Sequence, residues 1–151
     1  MTISTILVCL DGSESSTRAS DYAIEMAKKY DSEVILLYVV VSHLGYAYSS
    51  GEFGNVMPGA IGEILEKSKQ EAKKWFEGAE KKAAALNIKI KSEIIATGNS
   101  VVPAIVDYAD NNKVDLIITG TKGRSGFAKL LLGSVASGVV TYATCPVMIV
   151  K

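Results

Sequence analysis

The chain is poor in the residues that most often carry chemistry: one histidine, two cysteines, one tryptophan and three prolines in 151 residues. His43 has no acidic neighbour in sequence and nothing around it resembles a catalytic triad, so it reads as a solvent-facing loop residue. Cys9 lies in an apolar, strand-like run and Cys145 just before Pro146. Neither has the spacing of a metal site or a redox pair. Both read as small buried residues of a reducing compartment, with no disulfide expected. Net charge is also absent, since sixteen basic residues balance sixteen acidic ones. The Lys-rich stretch 67–82 is interleaved with Glu71, Glu77 and Glu80, the pattern of a solvated helix face rather than a nucleic-acid surface. The longest apolar run, 34–41, is too short to cross a bilayer, and no charged leader precedes an apolar segment. The expectation is a cytoplasmic protein that binds neither membrane nor nucleic acid.

A hydrophobic content of 48% over this length suits one globular domain, 1–151, with a real core. Residues 3–10 (ISTILVCL) predict a first strand. After Asp11-Gly12-Ser13 a helix follows with Ala19, Tyr22, Ala23, Met26 and Ala27 on one face. A second strand, 34–41, is a near-unbroken apolar run and a fourth, 114–119, has apolar Leu116, Ile117 and Ile118 at its centre, as central parallel strands covered on both faces do. Between them Ile61, Ile64, Leu65, Ala72, Trp75, Phe76, Ala79, Ala83 and Leu86 recur at three- and four-residue intervals, predicting a long amphipathic helix in which Trp75 is core. The third strand, 88–96, alternates apolar with charged residues, placing Lys89, Lys91 and Glu93 on one side, as at a sheet edge. Asn99 or Ser100 would cap the third helix, with Pro103 in its first turn. Val135, Val139 and Val140 mark the last helix, and 147–150 (VMIV) the last strand. These elements predict an α/β fold, a three-layer sandwich with a five-stranded parallel sheet in the order 3-2-1-4-5 and right-handed crossovers. In that order the winding reverses between the first and fourth strands, opening a crevice beyond their C-terminal ends.

The segment GTKGRSGFAKLLLGS, 120–134, lies at that crevice. Gly120, Gly123 and Gly126 let main-chain N–H groups approach an anion without a Cβ in the way. Gly133 and Ser134 would place a turn and a capping hydroxyl at a helix N-terminus, where the dipole favours negative charge. Lys122 and Arg124 add positive charge. A Walker loop is excluded because Gly133 stands where its lysine belongs. The dinucleotide fingerprint is excluded because the first turn reads DGSESS.

The start VCLDGSESSTRASDYA, the segment GNSVVPAIVDYA, the strand and loop DLIITGTKGRSG and the ending LLLGSVASGVVTYATCPVMIV resemble the universal stress protein family over essentially the whole chain. The spacing of Gly120, Gly123, Gly133 and Ser134 is similar to the pattern of its ATP-binding members. The resemblance implies an adenine nucleotide alpha-hydrolase-like, Rossmann-like fold and a bound ATP, ADP or AMP, with Mg²⁺ as a companion of the triphosphate. It implies that the Asp11 carboxylate accepts hydrogen bonds from ribose hydroxyls and that the Val39 main chain meets adenine. Thr119 would lie beside the base, Gly120 at the ribose, and Gly123, Gly133, Ser134 and Val135 at the phosphates, with Lys122 contributing a further phosphate contact. From the residues alone, Asp11 also reads as a helix cap.

With no evident nucleophile, general base or metal-ligand cluster, the sequence favours a regulatory nucleotide-binding module of the stress response over the alternative, a slow ATPase or nucleotidyl-transferring enzyme. The last strand would leave an apolar edge, and pairing with its copy in a second subunit predicts a homodimer. Residues 42–59, rich in Gly, Ser and Tyr, read as a surface loop or dimer contact; the sharper reading is a lid in which Tyr46, Tyr48 or Phe53 covers nucleotide.

Overall fold

Strand β1 (Thr5–Cys9) sits at the centre of a five-stranded sheet with β2 (Glu33–Val41) on one side and β4 (Leu116–Gly120) on the other. The edges are β3 (Ile90–Thr97) and β5 (Val147–Val150), giving the order β3-β2-β1-β4-β5 with all pairs parallel. The helices between them are α1 (Glu14–Tyr30), α2 (Pro58–Ala85), α3 (Val101–Asn111) and α4 (Ser134–Tyr142). This computed structural model describes residues 2–42, 58–122 and 132–151. The 42–59 loop, apart from its first and last residues, lies outside the described residues, as do His43, Gly123, Arg124, Gly126 and the side chains of Ile61 and Ile64.

Strand alternation divides the core into two layers. Ile6, Val8, Val34, Leu36, Leu116 and Ile118 face α1 and α2, where they meet Ala19, Ala23, Ala72 and Phe76. Leu7, Ile35, Leu37, Val39 and Ile117 face the other way and pack with Ile105, Ala109 and Val139 of α3 and α4. Central strands buried on both faces therefore need no polar residue in their middle, which is why their sequences run apolar throughout. At the β3 edge, Lys91 Nζ and Glu93 Oε1 stand 3.3 Å apart on one face, as the alternation predicts. Asp115 ties β4 to β1: its Oδ2 accepts the N–H groups of Ser4 and Thr5 at 2.8 and 2.9 Å.

Several expectations need correcting. Tyr22 is 53% exposed, because α1 buries the stripe Ser16, Ala19, Ser20, Ala23, Ile24 and Ala27 and leaves Tyr22 off it. Leu86 is 40% exposed. The chain turns through left-handed Asn87 (φ 54°) just after α2, and the N–H of Ile88 returns to Ala83 O, so Ile88 packs on the core in place of Leu86. Val140 is 48% exposed on the outer side of α4. Cys9 and Cys145 are free thiols that are partly rather than fully buried. Ser100 does cap α3, but its hydroxyl makes no capping hydrogen bond.

Candidate functional site

The winding reverses where expected. Chain leaving β1 enters α1 on one face of the sheet, and chain leaving β4 reaches α4 on the other. Between these departures lies a cavity of about 380 Å³. Its wall contains Asp11, Val39, Thr119, Gly120, Lys122, Gly133, Ser134 and Val135, every described residue that the sequence put forward. It also contains Cys9, Leu10, Ser13, Ser16, Leu37, Tyr38, Val101, Ile105, Thr121 and Ala136, which sequence reasoning did not single out. Position at the C-terminal end of a strand or the start of a helix was the available signal for most of them.

The cavity is chemically two-ended. One end is built from members of the α3/α4 core layer and residues packed on it: Leu37, Val39, Ile105, Cys9 and Val101. Burial, and then the neighbouring Asp11 carboxylate, push the Cys9 thiol up to about 12, so it stands there neutral and effectively apolar. The other end is polar, with Ser13, Thr121, Lys122 and Ser134, and Asp11, just past the end of β1, stands between the two.

The main chain of Val39 is the least legible part of this wall. Glu33 N–H donates to Ser4 O, and Leu37 O accepts from Leu10 N–H at 2.9 Å, so odd-numbered residues of β2 turn their main-chain groups toward β1. Even-numbered ones turn toward β3, as Val34 N–H to Lys89 O and Ser42 N–H to Thr97 O show. Pairing with β1 ends at Leu37. The alternation therefore aims the N–H and C=O of Val39 past the end of β1 and into the crevice, a donor and an acceptor side by side.

Asp11 is held before α1 rather than capping it. Its Oδ1 accepts the N–H of Ser13 at 2.9 Å, and Ser13 is the cap, its Oγ accepting from Ser16 N–H at 3.2 Å. A carboxylate has room for further donors beyond this one. At the opposite side, the cap of α4 is Gly133 and not Ser134, which is the first helical residue. The α4 N-terminus thus has no side-chain cap bond and no acidic residue in its first turn, so nothing in that turn offsets its free N–H groups or its dipole. Gly133 N–H donates to Thr121 O at 2.6 Å, closing the base of the 122–132 loop, and Ser15 Oγ–H donates to Lys122 O at 2.9 Å, tying that loop to α1.

The glycines differ in what they serve. A Cβ on Gly120 would lie 2.8 Å from both the carbonyl carbon of Ser15 and the amide nitrogen of Ser16. Its missing side chain lets α1 sit against the end of β4. Gly133 has φ −68° and ψ 163°, a conformation open to any residue, so its backbone makes no demand for glycine.

An α/β sandwich of this strand order, with its crevice walled by those segments, agrees with what its sequence matches: the pattern of the universal stress protein family covers residues 2–151. The chain belongs to the universal stress protein family. A universal stress protein of Methanocaldococcus jannaschii is 39% identical over 149 residues, covering 97% of this chain and 81% of that protein. Among solved structures, the universal stress protein UspA of Lactobacillus plantarum superposes with a TM-score of 0.83 at 24% identity, over 100% of this chain and 99% of that one, which speaks for the fold. A universal stress protein solved in complex with cAMP superposes with a TM-score of 0.66 at 26% identity, over 100% of this chain and 98% of that one. Adenine nucleotides are thus ligands of structural relatives in this family. No helix among the described residues is long and apolar enough to cross a membrane.

Proposed function

We propose that this universal stress protein binds an adenine nucleotide, ATP, ADP or AMP, in the crevice between β1 and β4, and acts as a regulatory module rather than a catalyst. One observation carries the reading: a single cavity joins an apolar end, edged by the outward-facing main chain of Val39, to the uncapped N-terminus of α4. A purine suits the first end. Its flat faces replace water against Leu37, Ile105 and Cys9, and the Val39 N–H and C=O complement an acceptor N1 beside a donor N6 amino group. Phosphates suit the second, at the start of α4, which Ser134 and Lys122 line. Asp11, between the two ends, is assigned to the ribose hydroxyls, and Thr119 and Gly120 line the cavity beside it. Gly123, outside the described residues, is assigned to the phosphates through the family spacing, and Val135 to the phosphate side of the α4 terminus. The cAMP complex of a relative supports the same ligand chemistry. With a triphosphate, Mg²⁺ would enter on phosphate oxygens; among the described residues no group of three or more His, Cys, Asp or Glu could hold it.

Removing the ribose acceptor tests the assignment. Asp11→Ala should weaken ATP binding by about tenfold or more, the worth of at least one hydrogen bond to a charged group, in a titration calorimeter, with little change for an adenine base lacking the sugar. An equal loss for both, or none, would remove Asp11 from the site.

We also infer a homodimer. Edge strand β5 carries Met148 and Ile149 with an open hydrogen-bonding side, and the exposed Tyr22 of α1 and Tyr142 of α4 belong to the two helices that flank it. Light scattering at micromolar concentration should give twice the 16.0 kDa chain mass. A monomer under the same conditions contradicts it.

A further inference from the structure

Trp75, the lone tryptophan, reaches the cavity through the turn that carries Asp11. It projects from α2 and is partly buried against the core layer that holds Ala72 and Phe76. Its indole meets Gly12 so closely that a Cβ there would lie 2.5 Å from Cε2 and 2.9 Å from Nε1. Gly12 is also the one described glycine in the left-handed region, at φ 80°. Its neighbours on both sides belong to the site: Asp11 Oδ1 accepts the Ser13 N–H across it. The indole also meets the Tyr38 ring edge-on, with centroids 5.1 Å apart and planes at 87°, and Tyr38 lines the cavity. A flat, rigid ring fixed by an aromatic partner and a helix therefore occupies the space that would otherwise let the 11–13 turn relax.

We propose that Trp75 is a positioning residue for the nucleotide cavity: by filling the space over Gly12 it holds the Asp11–Gly12–Ser13 turn closed, and so sets where the Asp11 carboxylate faces. The sequence offers no hint of this, because Trp75 sits at helical spacing among core residues, far along the chain from Gly12. The consequence for binding rests on the adenine-nucleotide reading; the consequence for the turn does not.

The two are separable by experiment. In Trp75→Leu, amide hydrogen exchange at Ser13, measured by NMR without ligand, should accelerate by about tenfold as its bond to Asp11 loosens. Trp75→Phe, which keeps a smaller ring over Gly12, should restore part of the protection and leave a measurable acceleration of about threefold, so it also serves if the leucine variant fails to fold. In calorimetry, Trp75→Leu should lose about tenfold in ATP affinity but little in affinity for 2′,3′-dideoxy-ATP, and adding Asp11→Ala should cost nothing more because both act on the same contact. Unchanged Ser13 exchange in both variants overturns the proposal. Equal losses for ATP and its dideoxy analogue overturn it as well, leaving Trp75 a packing residue. Should the wild type bind no adenine nucleotide, the functional reading fails while the Ser13 exchange still decides the role of Trp75.

Discussion

Gly133→Val is expected to lower ATP affinity by at least about a hundredfold, roughly 3 kcal/mol, with the fold intact. The backbone argument comes first. At φ −68° and ψ 163° Gly133 is already where a valine can sit, and both of its main-chain hydrogen bonds survive: its N–H to Thr121 O and its carbonyl to Ser137 N–H. Valine caps a helix less well than glycine, a capping cost of about 1 kcal/mol, or a few degrees of melting temperature in a chain of this length. The ligand argument runs the other way. Gly133 is part of the cavity wall at the α4 terminus, so a branched side chain there takes volume from phosphate and blocks its approach to the N–H groups behind it. Calorimetry beside a thermal melt of the unliganded protein reads both quantities. Retained affinity would mean that the phosphates, if bound at all, lie elsewhere.

Gly120→Val should behave in the opposite way. Both glycines belong to one motif and line one cavity, but the Cβ direction of Gly120 points at the backbone of Ser15 and Ser16, 2.8 Å away. Backbone in the first turn of α1 cannot step aside as a side chain could, and α1 is fixed there by Ser13 and by the core residues Ala19 and Ala23. Forcing carbon into a filled space costs on the order of 3 kcal/mol or more, which for this size of chain is a fall of about 6–12 °C. Gly120→Ala should show a smaller loss in the same direction. An unchanged melting temperature in the valine variant would contradict the packing account of Gly120.

This contrast marks what a linear pattern can convey. Strand order, the two edges and the crevice followed from the apolar runs of β1, β2 and β4 and the alternation of β3, because burial on one face or two writes itself directly into residue type. Glycine spacing, by contrast, records only that a Cβ is absent, not what stands in its place: at Gly120 it is the backbone of α1, whereas Gly133 belongs to the cavity wall. The Val39 main chain could not be read from residue type at all, since it depends on β1 being shorter than β2. The cap of α4 was placed one residue late because Ser134 is the better capping type, yet Gly133 occupies the cap. The spacing of Leu86 continues that of α2 and so points it to the core, whereas left-handed Asn87 hands the core position to Ile88. The contact of Trp75 with Gly12 joins residues 63 positions apart (75 − 12), which no local pattern encodes.

The account depends most directly on one titration: ATP with Mg²⁺ added to nucleotide-free protein in a calorimeter, with a thermal melt of the same sample. The account predicts saturable heat at one site per chain and a rise in melting temperature that grows with ATP concentration. No heat and no shift, in a protein shown to be folded, would contradict it.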